Sequence, residues 1–221
     1  MAVPVQTETT GARCIAAILG AQQRYGIPDN LLLSIGIQEA GRKGPAGLAV
    51  WPWTVNANGE GAFFKTRQEA QDWVREKQGQ GINSIDVGCM QVNLRWHGDQ
   101  FPHQDAAFDP MLNADYAARF LLSLKKQTGS WQKAAGRYHS ATEKYQKRYL
   151  ASLARNQGVV ARDFARLSAL AGQVGAVQVV QAVVPEVKAP PVFWGGEAGS
   201  NYSIYSNAPL QPILPQYREA F

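Results

Sequence analysis

The sequence predicts a mainly α-helical domain that contains one small β-hairpin, followed by a largely irregular C-terminal tail. Apolar residues recur at helical spacing in several segments between residues 8 and 157. Two short apolar stretches flank an Asn-Gly pair, which is the pattern of a tight hairpin. Beyond Gly158 prolines and polar residues replace the apolar pattern. We therefore expect a folded domain over residues 8–157 and a tail over residues 158–221.

The first half of the domain is predicted to hold three helices and the hairpin. Gly26 and Pro28 separate the first two helices, because glycine ends a helix and proline fits the start of the next one. Thr66 and Glu69 have the spacing of a capping box, which starts the third helix. The predicted bounds are 11–25, 30–40 and 66–77 for the helices, and 51–55 with 61–64 for the hairpin strands around Asn58-Gly59.

The second half is predicted to be helical apart from residues 86–94, where we expect a short helix or a turn. Asp109-Pro110 caps a long helix that Gly129 ends. Further helices are predicted over 131–138 and 142–154, and one more over 160–170 in the tail.

Charge and composition exclude several classes of protein. The 221 residues carry a net charge of +5 and a pI near 9.3. Residues 1–155 hold 18 Lys and Arg against 13 Asp and Glu, whereas the remainder holds four of each. The basic residues are scattered, so we expect an anionic partner but no nucleic acid. Two cysteines and three widely spaced histidines predict no metal site, and we expect no cofactor.

Two terminal segments bear on targeting. Residues 1–10 show no basic stretch followed by an apolar one, so we identify no signal peptide in this chain. The longest uncharged run, residues 167–185, is diluted by glutamine, glycine and serine, so we predict no membrane span.

Glu39 is the candidate catalytic acid. It follows the strongly apolar helix segment 31–38, and a carboxyl group beside so much apolar surface is expected to lose hydration. Lost hydration raises the pKa of the carboxyl group, so that it holds a proton near neutral pH, as protonation of a glycosidic oxygen requires. Taken alone, this stretch fits better a glutamate at the helix C-terminus that faces solvent or pairs with Arg42.

Three short motifs in order change that balance: Gln38-Glu39-Ala40-Gly41, Gly88-Cys89-Met90-Gln91-Val92-Asn93 and Gly136-Arg137-Tyr138-His139-Ser140. Over residues 10–155 the chain resembles the soluble lytic transglycosylases, which have a lysozyme-like α+β fold. Residues 51–64 and the sequence Asp86-Val87-Gly88 resemble the branch of that family that occurs with flagella and secretion systems. The chain departs from the wider family at Ala40, where serine is usual, at Cys89 for leucine and at His139 for asparagine.

The resemblance implies an activity and a set of site residues. The family cleaves the β-1,4 bond between N-acetylmuramic acid and N-acetylglucosamine in peptidoglycan and leaves a 1,6-anhydro end. Glu39 would act first as acid and then as base, without a second carboxylate. The positions that match family residues at the substrate are Met90, Gln91, Asn93, Tyr138, His139 and Tyr149. For Tyr149, simple helix packing is an equal alternative.

Cys14 and Cys89 are expected to form a disulfide, because the family's substrate lies outside the cytoplasm and we expect a periplasmic protein. Such a bridge would fix the turn that presents Met90 and Gln91. Two buried thiols that never meet are the alternative.

Other residues leave other functions open. If Asp86 faced the cleft it could activate water and give a lysozyme-type hydrolase, although a loop or capping role is the favoured interpretation. Trp51, Trp53 and Trp96 could stack on sugars, or pack in the core or the hairpin. A third alternative is a non-catalytic cell-wall-binding assembly module.

The tail, residues 158–221, is interpreted as flexible, or as a segment that docks a flagellar rod or secretion-system protein through Val192-Phe193-Trp194. Truncation at about Gly158 is expected to leave catalysis intact.

Overall fold

Helices dominate the computed structural model, which describes residues 5–44, 47–174 and 218–219 of the chain. The helices are α1 (Val5–Arg24), α2 (Leu31–Ala40), α3 (Arg67–Gly79), α4 (Leu94–His97), α5 (Pro110–Thr128), α6 (Trp131–His139) and α7 (Glu143–Gly172). Two 3₁₀ turns, Gly98–Gln100 and Gln104–Phe108, connect α4 to α5. Together with the small sheets described below, the helices confirm the predicted mainly α, lysozyme-like α+β class.

The helix ends follow the local signals in the sequence. The Thr66 hydroxyl accepts a hydrogen bond from the Glu69 amide, and the Glu69 carboxylate accepts one from the Thr66 amide, so the capping box starts α3. The Asp109 carboxylate accepts from the first amides of α5, and Pro110 occupies its first turn. Gly129 ends α5 with a φ of 73°, which glycine adopts without strain.

Two small sheets lie beside the helices. The strands are β1 (Gly41–Gly44), β2 (Gly47–Val50), β3 (Thr54–Ala57), β4 (Glu60–Phe63), β5 (Ile85–Val87), β6 (Val92–Asn93) and β7 (Arg218–Glu219). The first sheet is the antiparallel pair β1–β2, and the second has the order β6-β5-β3-β4-β7, in which β7 is parallel to β4. The β3–β4 hairpin is the predicted one, and it turns at Asn58 and Gly59, both with positive φ.

Residues 86–94 contain a turn at 88–91, one of the two alternatives that the sequence predicted, but not the short helix. They contribute to two strands, β5 and β6, joined by a tight turn, before α4 begins at Leu94. Gly88 and Gln91 have positive φ values, which are incompatible with a right-handed helix. The edge of β3 provides the pairing partner for β5, with Asn56 opposite Asp86. This long-range pairing is absent from the local sequence pattern.

The C-terminal helix is one element where the sequence predicted two. Helix α7 runs without a break through Gly158, although glycine disfavours the interior of a helix. Val160, Leu167 and Leu170 of α7 are buried in the core, and this packing outweighs the cost of the glycine. The predicted boundary at 157/158 therefore falls within a continuous helix. The predicted flexibility of the later tail and its Val192–Trp194 docking motif lie outside the described residues.

The buried helix α2 lies at the centre of the domain. Each of its residues is buried, as expected for a helix that is apolar on all sides. It packs on α1 and α7, and its C-terminal end meets the first sheet. This arrangement places the last turn of α2, which carries Glu39, where helices and strands meet. In the part of the chain that the structure describes, no helix is both long and apolar enough to span a membrane.

Candidate active site

Glu39 lies in the last turn of α2 and is only 5% exposed. Loss of hydration raises the pKa of its carboxyl group from 4.5 to about 8. The Tyr149 hydroxyl donates a hydrogen bond to Glu39 Oε1 over 2.7 Å, which lowers this pKa but by less than burial raises it. Near neutral pH the Glu39 carboxyl group is therefore largely protonated, in the form that can donate a proton.

Tyr149 is held against Glu39 by a stacked histidine. The imidazole of His139, at the end of α6, lies parallel to the Tyr149 ring with 4.3 Å between the ring centres and 10° between the planes. Burial lowers the pKa of His139 to about 3, so that the stacked ring is neutral. Helices α6 and α7 thus bring His139 and Tyr149, both predicted from the sequence, to the same side of Glu39.

Asp86 places a second carboxyl group close to Glu39. It lies buried in strand β5, so the loop or capping role that the sequence favoured is wrong. Burial and the negative charge of Glu39 raise the pKa of Asp86 well above its usual value. Asn93 opposes this shift, because its Nδ2 donates a hydrogen bond to Asp86 Oδ1 over 2.8 Å. The charge of Glu39 therefore disfavours ionisation of Asp86.

The turn between β5 and β6, residues 88–91, is held by a residue that the sequence analysis missed. Asn113 of α5 is fully buried, and its Oδ1 accepts a hydrogen bond from the Met90 amide over 2.8 Å. Its Nδ2 donates to the carbonyl oxygens of Val87 and Ala107. The fit is close, since a Cβ on Gly88 would lie 2.6 Å from Asn113 Nδ2. An asparagine among the apolar positions of α5 was the signal that could have identified it.

Motif side chains in and beside this turn donate hydrogen bonds to backbone carbonyl oxygens. Gln91 Nε2 donates to the carbonyl oxygens of Thr54 and Gly88, both over 3.1 Å. The Tyr138 hydroxyl donates to the Met90 carbonyl oxygen over 2.9 Å. All of these side chains are buried. Their positions show how the turn is fixed beneath the site, whereas their contact with substrate stays a prediction.

The disulfide between Cys14 and Cys89 is present, with 5.7 Å between the Cα atoms. It ties α1 to the turn beside Met90, which confirms the predicted pairing.

Asn93 lies in β6, which follows the turn. Its Oδ1 accepts a hydrogen bond from the Arg95 amide and caps α4.

Of the tryptophans considered as sugar platforms, Trp96 is the most exposed. Trp51 is buried and its Nε1 donates to the Phe64 carbonyl oxygen over 2.7 Å, which is hairpin packing. Trp53 is half-buried against the core. Trp96 in α4 is 37% exposed.

The fold and the site define a class of protein, a lysozyme-like α+β domain built around a buried, protonated glutamic acid. A family model described as the transglycosylase SLT domain matches residues 16–158, more than half of the chain, and the chain belongs to this family. Membership indicates a transglycosylase that acts on peptidoglycan, a polymer outside the cytoplasm. No curated protein and no solved structure matched the chain.

Proposed function

We propose that this protein is a lytic transglycosylase that cleaves the β-1,4 bond between N-acetylmuramic acid and N-acetylglucosamine and forms a 1,6-anhydro end, with Glu39 as the catalytic residue. The observation that carries the proposal is the pKa of about 8 that burial gives Glu39, at a position that the SLT family match includes. A protonated carboxyl group is what departure of the glycosidic oxygen requires.

In the first step the Glu39 proton passes to the glycosidic oxygen, and the bond from that oxygen to C1 of the muramic residue breaks. The acetamido oxygen of the same residue attacks C1 and holds the charge that develops there, so no protein nucleophile is needed. Tyr149 continues to donate its hydrogen bond to the carboxylate that forms. This contact stabilises the charged form when it appears.

In the second step the muramic 6-hydroxyl attacks C1 and displaces the acetamido oxygen. The Glu39 carboxylate takes the hydroxyl proton, which restores the starting acid and closes the 1,6-anhydro ring. The raised pKa suits this step as well, because a desolvated carboxylate is a stronger base than a hydrated one. One group with a pKa near the working pH can therefore serve both steps.

Digestion of purified sacculi, followed by mass analysis of the muropeptides, tests this chemistry. We expect products lighter by one water than hydrolysis products, and loss of activity by about 100-fold or more in Glu39→Gln. Glu143→Gln, an exposed glutamate at the start of α7, is the matched control and should keep wild-type activity. Reducing ends would assign a hydrolase instead, and full activity in Glu39→Gln would overturn the assignment of Glu39.

A lysozyme-type hydrolase is the second candidate, and Asp86 is the observation that favours it. A buried carboxyl group that interacts with Glu39 could activate water if it were ionised. Burial and the charge of Glu39, however, raise its pKa, which disfavours the ionised form that a general base requires. This shift favours the transglycosylase. A folded protein that releases no product from sacculi would support the third alternative, a non-catalytic wall-binding module.

We propose further that the protein works in the periplasm and opens the wall locally for a flagellum or a secretion apparatus. Support comes from residues 51–64, 86–93 and 136–140, whose sequences resemble the branch of the family that occurs with flagella and secretion systems. Because α7 packs on the core as far as Gly172, the partner-docking role is proposed for residues 175–221 alone. A pull-down with the full chain and with residues 1–174 tests it: a rod or secretion-system protein captured by the full chain alone is expected, and equal capture by both would contradict it.

A further inference from the structure

An open cavity of about 370 Å³ is lined by residues from the end of α3, the segment that follows it and the start of α4. It is lined by Gln78, Asn83, Leu94 and Arg95. Two amides, one guanidinium group and a single leucine make this lining polar and cationic, without a carboxylate. The volume is within the range of small-ligand sites. These properties match a polar ligand that carries negative charge.

Arg95 is available to bind such a ligand. It is exposed, and its guanidinium carbon lies 4.7 Å from the centre of the Trp96 ring, at cation–π distance. Within the described part of the chain no carboxylate lies at ion-pair distance from it. Nearby arginines are engaged: Arg67 donates to the Asp105 carbonyl oxygen, and Arg75 pairs with two aspartates.

Asn93 connects this cavity to the acidic pair. Its Nδ2 donates to Asp86 Oδ1 and also to Ser84 Oγ, over 2.8 and 3.1 Å. Ser84 is the neighbour of Asn83 in the cavity wall, and the Asn93 oxygen caps the helix that carries Arg95. The cavity wall is therefore joined to Asp86 by hydrogen bonds, and Asp86 in turn senses the charge of Glu39. A ligand in the cavity would lie on the Asp86 side of a glycan strand bound at Glu39.

We propose that this cavity is a subsite for the stem peptide of peptidoglycan. Arg95 would pair with a peptide carboxylate and Asn83 would bind a peptide amide. Gln78, whose amide is paired with that of Gln104, would complete the polar wall. The inference rests on the proposed function, because it takes the glycan bound at Glu39 to be peptidoglycan. It adds a preference for strands that carry peptides over bare glycan.

A binding experiment tests the subsite without relying on activity. Stem peptide released from sacculi by an amidase is titrated into the full chain by calorimetry. We expect binding to the wild type, and binding about fivefold weaker in Arg95→Ala, as for one exposed charge pair. Arg155→Ala, an exposed arginine of α7, is the matched control and should bind as the wild type. Equal affinity of the wild type and Arg95→Ala, or no binding to either, would overturn the subsite.

A kinetic experiment separates failure of the subsite from failure of the proposed function. Intact sacculi and glycan strands stripped of their peptides are compared as substrates. In Arg95→Ala we expect kcat/KM to fall about fivefold on the strands with peptides and to stay unchanged on stripped strands. Equal loss on both substrates, or no loss on either, would overturn the subsite and leave the proposed function standing. A wild type that cleaves neither would overturn the proposed function, and the calorimetric titration would still decide peptide binding.

Discussion

At the scale of single residues, Glu39 is under two opposing influences. Burial in the apolar end of α2 raises the pKa of its carboxyl group, and the Tyr149 hydrogen bond lowers it. Their balance gives a pKa of about 8, which sets the pH above which the acid loses its proton. Ala40 lacks the hydroxyl that the wider family has next to the acid, so Tyr149, which stacks on His139, provides the orientation here.

Tyr149→Phe should move the pH profile of activity. Removing the hydroxyl takes away a contact that lowers the pKa of Glu39, so the alkaline fall in kcat should shift to higher pH. We also expect kcat to fall roughly tenfold, as for the loss of one hydrogen bond of about 1.4 kcal/mol at the reacting group. Tyr145→Phe, at an exposed tyrosine of the same helix, is the control. If kcat falls and the profile stays in place, Tyr149 has only a packing role.

Glu39→Gln should be more stable than the wild type at alkaline pH. Folded Glu39 keeps a proton between pH 4.5 and about 8 that the unfolded chain releases, so the free energy of unfolding falls as the pH rises through this window. Below pH 4.5 both states are protonated and this contribution to stability is fully present. We expect the stability difference between Glu39→Gln and the wild type to grow by about 4 kcal/mol from pH 4 to pH 9.

Urea unfolding of the two proteins across this pH range measures the difference. Loss of the Glu39 charge also relieves Asp86, which adds to the difference in the same direction. Parallel stability curves would show that Glu39 is hydrated and has an ordinary pKa. Glu143→Gln at the protein surface should follow the wild type and serves as the control.

At the scale of elements, the features that local signals specify were predictable and those that depend on distant partners were not. Asp109, Gly129 and the Asn58-Gly59 turn act within a few residues, and each formed the element predicted. The β1–β2 hairpin was missed, because Gly41–Gly44 and Gly47–Val50 contain glycines and charges without alternation. Strand β5 depends on the edge of β3 and gives no local signal in three residues.

The candidate active site also combines features that local sequence specifies with features that depend on distant partners. Motif order identified the position of Glu39, and the apolar sequence of α2 predicted its raised pKa. Neither could show that Asp86 shares its electrostatic environment, because that depends on pairing between β3, β5 and β6. Asn113 was missed for the same reason, since its partners lie 6 to 26 residues away and belong to other elements.

The disulfide joins two elements that hold the site, and its loss should cost stability. Cys14 and Cys89 are 75 residues apart in sequence, and a loop of this length predicts about 4 kcal/mol of stabilisation in the chain-entropy model. We expect reductant to lower the urea midpoint of the wild type and to leave that of a Cys14→Ala, Cys89→Ala double variant unchanged. Alkylation followed by mass measurement confirms reduction of the bridge. A wild-type midpoint that ignores complete reduction would contradict the prediction.

At the scale of the whole molecule, the positive charge and the site occupy the same part of the chain. The surplus of +5 lies within residues 1–155, and Arg95 is one of the cations that remain exposed there. Peptidoglycan carries lactyl and peptide carboxylates, so a basic domain suits this substrate without a nucleic-acid site. Helix α7 extends the domain beyond this region, because its C-terminal half packs on the same core.

The extent of the folded domain can be tested by truncation. The sequence led us to expect that truncation at about Gly158 leaves catalysis intact, whereas the packing of α7 predicts that it does not. Residues 1–174 keep all of α7 and, of the described elements, lose only the two-residue edge strand β7, so this fragment should fold and cleave sacculi like the full chain. Ending the chain at Gln157 removes the buried side chains of Val160, Leu167 and Leu170, which contribute about 2 kcal/mol each. It also removes Arg166, whose guanidinium donates to the Leu48 carbonyl oxygen and holds the hairpin that follows Glu39.

The loss of about 5 kcal/mol or more is comparable with the whole stability of a small domain, so the 1–157 fragment should be largely unfolded or inactive. Circular dichroism, urea unfolding and sacculus digestion on the two fragments measure this. The fragment 1–174 is the control, because both fragments lack residues 175–221 and only 1–174 keeps the whole of α7. If the 1–157 fragment unfolds at the same urea concentration as 1–174 and keeps its activity, the second half of α7 contributes nothing to the core.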